Sequence, residues 1–378
     1  MIVKYENNVS VYSYHFSFWI FIVIHLIRVY SIFAILFLSL TCASCSAQDK
    51  QSHTRPQFGR ILLGEPATSL GKNIDCILQL NNGDYWIGTN GDGVYRYSQS
   101  ILTHYTTKDG LVSDFVLGIQ EDKHGRLWFT NRDGISQYDG LQFFTYTDSI
   151  KNAKSGPLNM QKGGLFFGQN RKICFYDGHT FTSFEIHPES YKPHRFDNSR
   201  PYSMYCSLIS KNGTMVFGTE SKGVCLFDGK KKIYLTEQLL GSAAVRTVFE
   251  DSKGMLWFGN NGGGLYSYDG KTLRNITEEH HLGNPDFLNK LEPQKDNTLA
   301  RVFSINEDKN GLLWIGTIDA GVWSYDGTNL KQYTEKDGLT GSAIWSISKN
   351  NAGDLLYVTN GEKICTFDGE RFQEFRFQ

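Results

Sequence analysis

Along residues 74–377 apolar and polar positions alternate in short runs, and each run stops at a cluster of Gly, Asn or Asp. The pattern is clearest from Phe115 to Thr147. Phe115–Glu121 reads as a strand, Lys123-His124-Gly125 as a turn, and Leu127–Thr130 as a second strand. A loop at Asn131-Arg132-Asp133 leads to a third strand, Ile135–Tyr138, and Asp139-Gly140 turns into a fourth, Leu141–Thr147. A period of two over runs this short predicts half-buried strands rather than helices. The Asp-Gly pair between apolar runs predicts a type I′ turn with both residues at positive φ.

This four-strand unit recurs. A glycine followed by an aromatic-rich core strand appears at Gly83, Gly125, Gly164, Gly213, Gly254, Gly311 and Gly353. Where no insertion intervenes the glycines are 42 (83 to 125), 41 (213 to 254) and 42 (311 to 353) residues apart. An aromatic-Asp-Gly signal follows every core but the first, at Asp139, Asp177, Asp228, Asp269, Asp326 and Asp368. Four antiparallel strands per unit of this length is the signature of a propeller blade. A lone four-stranded sheet would leave its aromatic faces wet, whereas radial stacking buries both and closes the array. The expected fold is therefore all-β, a seven-bladed β-propeller of four-stranded antiparallel blades over residues 58–378. Trp86, Trp128, Trp257 and Trp314 share one core-strand position and are expected to wedge between blades. Ring closure is open: Phe58–Leu63 could pair with the last blade, or Arg371–Phe377 could complete it.

The N-terminal residues change the picture of where the chain resides. Residues 16–40 are strongly apolar, and Ile32–Leu40 has the length of a signal-peptide core, too short to span a bilayer alone. Thr41-Cys42-Ala43-Ser44-Cys45-Ser46-Ala47 then resembles a bacterial lipobox, with Cys45 as the lipidated residue. The division read here is 1–45 targeting segment, 46–57 linker, and propeller from 58. Cleavage after Ala47, or retention of 16–40 as a tilted anchor, are the other readings, and translation could start downstream of Met1. All three place the propeller outside the cytoplasm: as a periplasmic or outer-membrane lipoprotein of the cell envelope on the first, and as a released soluble protein on the second.

Charge excludes one class of partner. Lys plus Arg is 38 against 39 for Asp plus Glu, so no basic field is available for nucleic acid. The other cysteines, Cys76, Cys174, Cys206, Cys225 and Cys365, are odd in number and without close pairs, which argues against a disulfide framework and a zinc site. Cys174, Cys225 and Cys365 occupy one repeat position and read as small core residues. No cofactor or metal is expected.

Glu121-Asp122-Lys123-His124-Gly125-Arg126-Leu127-Trp128-Phe129 and Glu307-Asp308-Lys309-Asn310-Gly311-Leu312-Leu313-Trp314-Ile315-Gly316-Thr317 resemble the two-component regulator propeller repeat. So do the linkers Tyr105–Leu111 and Tyr333–Leu339, and the likeness extends over about residues 74–378. That resemblance implies the periplasmic sensor propeller of bacterial hybrid two-component systems, many of them glycan-responsive in Bacteroidetes. No kinase follows the propeller in this sequence, so ligand binding is the property expected to carry over. The family fixes no binding residues by motif.

Strand order predicts which face varies. In an antiparallel blade the b–c loops and the d–a connections share one face, and both long insertions, about residues 186–202 and 278–301, fall in d–a connections. The b–c loops carry Asn90, Asp92, Asn131, Arg132, Asp133, Asn170, Arg171, Glu220, Lys222, Asn260, Asn261, Asp319 and Asn360. This rim of amides, carboxylates and cations could hydrogen-bond an oligosaccharide, or meet an envelope protein. The plainer reading, that these residues satisfy their own turns, is favoured, with some loops serving both ends. The competing class is a propeller lyase or hydrolase with a metal-assisted His/Glu site, using His187, His194 and Glu189, or Glu278, Glu279, His280 and His281. Adjacent histidines in an extended segment point to opposite faces and chelate together poorly. A binding or sensing module is favoured over an enzyme.

Overall fold

The computed structural model describes residues 64–377 apart from 157, 159–163, 170–171, 192–200, 243, 285–296 and 361–362. The chain divides into two units, Met1–Gly59 and Arg60–Gln378, and every described residue lies in the second. The targeting segment with Cys45, the linker, Phe58–Leu63, Asn170, Arg171 and His194 lie outside the described residues. Among the described residues no helix is long and apolar enough to cross a membrane.

Seven sheets follow one another along the chain, each holding one of the repeated glycines, and they form a seven-bladed propeller. Blade 6 shows the plan: Val302–Glu307 (a), Leu313–Thr317 (b), Val322–Tyr325 (c) and Leu330–Tyr333 (d), paired antiparallel in that order. The a strands of neighbouring blades pack on one another around the axis. Two blades depart from the plan. In blade 1 a fifth strand, Glu65–Ala67, pairs antiparallel outside strand d (Ile101–Tyr105). In blade 3 Lys154–Ser155 runs parallel to strand d (Phe181–Phe184), on the outer edge.

The repeat signature is a set of contacts within and between blades. In Glu-Asp-x-x-Gly-x-Leu-Trp the aspartate serves its own blade. Asp122 Oδ1 accepts from the backbone N–H groups of His124 and Arg126, and Oδ2 accepts from Trp128 Nε1 at 2.9 Å. Asp251 and Asp308 take Trp257 and Trp314 the same way, at 2.9 and 3.1 Å. The carboxylate thus fixes the a–b turn and satisfies the one polar atom of a buried indole. Blade 1 has Leu80 in this position, and Trp86 Nε1 is buried without an acceptor.

The preceding residue serves the neighbouring blade. Glu250 Oε2 accepts from Lys211 N at 2.7 Å, and Glu307 accepts from Ser252 N and Oγ, both at 2.8 Å. Between blades 7 and 1 the bond is Asn351 N to Gln79 Oε1, 2.8 Å. The tryptophans wedge as expected: Trp128 lies against Phe167, Tyr176 and Phe181 of blade 3, and Trp314 against Tyr357, Phe367 and Phe372 of blade 7. Burying an aromatic of this size contributes about 1.5–3 kcal/mol.

The core-strand glycine two residues after the tryptophan position is set by close approach. A Cβ on Gly218 would stand 2.4 Å from Cys206 Sγ and 2.9 Å from Val245 Cγ1 of the next blade. Gly88, Gly259 and Gly316 face Val116, Val302 and Ile344 in the same manner. Cys174, Cys225 and Cys365 are buried in the core.

The Asp-Gly c–d turns are not type I′, whereas the blade 1 turn, with Gln99 at φ 50° and Ser100 at φ 65°, has both central residues at positive φ. Gly140 has φ 100°, but Asp139 lies outside the positive-φ region. Asp139 N pairs with Gln142 O at 3.3 Å, so the aspartate closes the hairpin and the central residues are Gly140 and Leu141. Asp139 Oδ1 accepts from Leu141 N and Gln142 N, both at 2.9 Å. The carboxylate prefers capping two N–H groups from outside the turn to a strained left-handed backbone. Strand d of blade 2 is also shorter than its apolar run, Phe143–Thr145, because a short helix begins at Thr147.

Among the described residues closure is by packing. Phe372–Glu374 completes blade 7 from its own unit. Leu356, Val358 and Ile364 of blade 7 share a core with Ile74, Ile77, Ile87 and Tyr95 of blade 1.

Candidate functional site

The face that carries the b–c loops is built on one repeated bond, and that bond fixes where the expected rim residues stand. The residue after strand b donates its N–H to the carbonyl just ahead of strand a: Asn90 to Asn73, Arg132 to Phe115, Glu220 to Ser203, Asn261 to Ala244 and Asn360 to Ala343. The last residue of strand b itself turns inward. Asn131 donates to Ser113 O and accepts from Ser136 Oγ, while Asn260 donates to Ser242 O and accepts from Gly263 N. Both are buried, with each end of the amide engaged, so they hold their loops.

The remaining rim residues are more open. Asp92 accepts from Tyr95 Oη at 2.7 Å and pairs with His104 at 3.5 Å. Arg132 lies 4.8 Å from the Phe115 ring, and Asp133 beside it is exposed. Lys222 pairs with Glu237 at 2.7 Å, and Asn360 Oδ1 accepts from Ala343 N. Asn261 and Asp319 are brought together by Arg301, whose Nε donates to Asn261 at 3.0 Å and whose Nη1 reaches Asp319 at 3.2 Å.

Inside this rim lies a set of residues that the strand pattern did not reveal. Strand a of six blades carries a β-bulge near its start, and the bulged residue has no partner on strand b. These residues are Asp75, Leu117, Tyr205, Arg246, Phe303 and Trp345, in blades 1, 2, 4, 5, 6 and 7. They stand on the innermost strands, at the end where the d–a connections enter, and so surround the axial mouth. In four consecutive blades they touch. The Arg246 guanidinium lies 4.2 Å from the Tyr205 ring and 5.1 Å from the Phe303 ring, and Phe303 meets Trp345 edge-on at 6.1 Å. Leu117, Tyr205 and Trp345 are 54%, 40% and 41% exposed, which is high for large apolar side chains in so regular a structure. Burial pushes the Asp75 carboxyl up to about 6.

One signal in the sequence marks this column. Each bulged residue stands eight positions ahead of its core glycine, from Asp75 and Gly83 to Trp345 and Gly353. The neighbouring positions repeat in character, whereas this one runs through Asp, Leu, Tyr, Arg, Phe and Trp. In blade 3 the same spacing falls on Gly156, which lies beside strand d instead of the axis.

Among the described residues the candidate histidines His187 and His280 have separate partners. His187 pairs with Glu185 at 2.7 Å among Tyr191 and Tyr202, while His280 caps the helix Ile276–Glu279 and meets Tyr325. Glu279 is engaged by Arg274 at 2.6 Å. Among the described residues no three His, Cys, Asp or Glu side chains are grouped to hold a metal ion.

Comparison with known proteins bears on the repeat and on the fold. The family model for the two component regulator propeller matches residues 298–319, strands a and b of blade 6 with the residues leading into them. A histidine kinase, P4 of Formosa agariphila, is 34% identical over 58 residues, which is 15% of this chain and 4% of the kinase. Among solved structures, the extracellular domain of a hybrid two component system from B. thetaiotaomicron superposes with a TM-score of 0.55 at 18% identity, over 82% of this chain and 39% of that one. Virginiamycin B lyase from Staphylococcus aureus, in a catalytically inactive form with quinupristin, gives 0.57 at 13% identity, over 79% and 96%. At these identities the two structures speak for the fold alone, and the chain spans about two fifths of the first. The Glu-Asp pair, the close-approach glycine and the indole-capping turn recur from blade to blade, and the family's own model falls on one of those blades. The chain is a seven-bladed propeller, and one of its repeats is similar to the two component regulator propeller.

Proposed function

We propose that this is an exported ligand-binding propeller, an accessory sensor in the bacterial envelope, whose ligand is glycan-derived and seats in the axial mouth. The observation that carries the reading is the bulge column. A framework that repeats its buried residues blade after blade changes side chain at each bulge, and there leaves Tyr205 and Trp345 open to solvent. Flat aromatic faces give contact area at little cost in side-chain entropy, and such residues anchor binding surfaces. Arg246 and Asp75 add directional polar groups, and the Asn261–Arg301–Asp319 cluster lies just outward. An envelope protein is the other occupant the same mouth would admit. Export and the lipid anchor at Cys45 belong to this proposal and rest on the apolar N-terminal stretch.

The test is a glycan array probed with the purified exported protein, followed by calorimetric titration of the hits. Trp345→Ala and Tyr205→Ala are each expected to weaken binding about tenfold, the loss of one aromatic contact, with unchanged melting temperature. Absence of any saccharide binding, or full affinity in both variants, overturns the reading.

A further inference from the structure

We infer that the mouth selects an acidic saccharide, held with its carboxylate or sulfate on Arg246; this rests on the binding role proposed above. Arg246 is the cation of the bulge column. Tyr205 and Phe303 flank its guanidinium at 4.2 and 5.1 Å, and its Nε is shielded from solvent with no hydrogen-bond acceptor. Four other arginines of the ring are matched to carboxylates: Arg96 to Asp84, Arg126 to Asp122, Arg274 to Glu279 and Arg301 to Asp319. Among the described residues Arg246 has no such partner.

A guanidinium Nε shielded from water without an acceptor is poorly compensated. The two aromatic faces recover part of the lost hydration and fix the plane of the fork. A fork held in one plane is pre-organised for an oxyanion that takes two parallel N–H bonds, which a lysine in its place would not be. The rest of the column sets the character of the ligand. Phe303 and Trp345 continue from Arg246 as apolar surface, suited to the C–H face of a pyranose, and Asp75 lies beyond them as an acceptor for hydroxyl groups. Cation, aromatic faces and carboxyl therefore come in the order acid group, ring, hydroxyls. An acidic peptide would satisfy Arg246 and leave the aromatic arc and Asp75 unused.

The experiment compares paired ligands on the full exported protein. An array of neutral, carboxylated and sulfated oligosaccharides gives the hits, and each carboxylated hit is titrated beside its carboxyl-reduced counterpart. Hits confined to acidic glycans, and a loss of about 10- to 100-fold on carboxyl reduction, the worth of one charge-assisted pair, are the expected results. Whether the hits carry carboxylate or sulfate identifies the anion. Arg246→Gln should remove the preference for the acidic member and keep the weak binding of the neutral one, while Trp345→Ala weakens both alike. Carboxyl reduction alters only the ligand, so this arm reads even if Arg246→Gln does not fold. Equal affinity for neutral and acidic partners overturns the inference and leaves the binding role standing. Tighter binding of poly-glutamate than of any acidic glycan overturns the saccharide assignment, and no saccharide binding at all overturns both readings.

Discussion

Two aspartates show how one residue type acquires opposite roles from its surroundings. Burial alone would raise the carboxyl of Asp122, but hydrogen bonds from Trp128, Arg126 and the turn backbone outweigh it and hold the group below its ordinary range. Its folded form favours ionisation, so its contribution to stability is present above the unfolded pKa and is lost as pH falls through the folded one. Asp75 is buried at a bulge where nothing donates to it, and burial pushes its carboxyl up to about 6. An unfolded aspartate ionises near pH 3.9. Across the window from about 4 to 6 the unfolded chain therefore sheds a proton that the folded one keeps, and stability falls as pH rises. Asp75→Asn removes that penalty. Because the side chain is partly exposed, solvent screening reduces the expected gain to about 1 kcal/mol near pH 7.5, vanishing near pH 4. Urea unfolding at the two pH values reads it, and an equal effect at both would show that Asp75 is not the titrating group. A poorly solvated carboxyl at the mouth of the ring is in keeping with a place for a ligand's hydroxyl groups.

Blade geometry rests on how closely neighbouring sheets approach, and the core-strand glycine is where that approach is tightest. Gly218→Ala would push against Cys206 within the blade and Val245 of the next. Overpacking of this kind costs about 1–3 kcal/mol. Gly118 is the counterpart test: it lies on strand a of blade 2, a Cβ there meets nothing within 4 Å, and its φ is not in the left-handed region. Gly118→Ala should be neutral or stabilising by about 0.4–1 kcal/mol, through the unfolded chain. Thermal melts of the two variants should diverge in sign, and a stable Gly218→Ala would remove close approach as the reason for that glycine. The strands, the repeat and the wedged tryptophans were legible in the sequence because period-two alternation and turn residues report them directly. The bulges were not. An unpaired extra residue leaves the alternation of so short a strand intact in appearance, so Tyr205, Arg246, Phe303 and Trp345 read as ordinary strand positions. The Asp-Gly turns misled for a related reason, since a carboxylate that caps a turn from outside has the same dipeptide as one inside it. Among the rim residues, composition alone did not separate Asn131 and Asn260, which tie down their own loops, from Asn261, which meets Arg301.

Closing the ring poses a problem that no single blade has to solve. Neighbouring blades along the chain are joined by a covalent connection, but among the described residues blades 7 and 1 meet through side chains and a few hydrogen bonds. Their shared apolar core is supplemented by Asn351, which donates from N to Gln79 Oε1 and from Nδ2 to Leu80 O, the latter at 2.7 Å. Past strand d of blade 7 the chain then crosses to blade 1. Phe375 lies 5.5 Å from Tyr85, and Phe377 lies 5.4 Å from Tyr85 and 4.7 Å from Tyr97. The chain end thus forms an aromatic clasp across the seam, anchored by Phe375 N to Ile364 O at 2.8 Å. A ring of units that contact only their neighbours opens first at its weakest interface. Replacing both Phe375 and Phe377 by Ala should lower stability by about 2–4 kcal/mol, from lost burial and ring contacts. Hydrogen exchange should show amides of strands a and b in blades 1 and 7 losing protection, while those of blades 4 and 5 keep theirs. Even loss of protection around the whole ring would mean that the seven sheets melt as one cooperative unit, in which the clasp adds to total stability without guarding a seam.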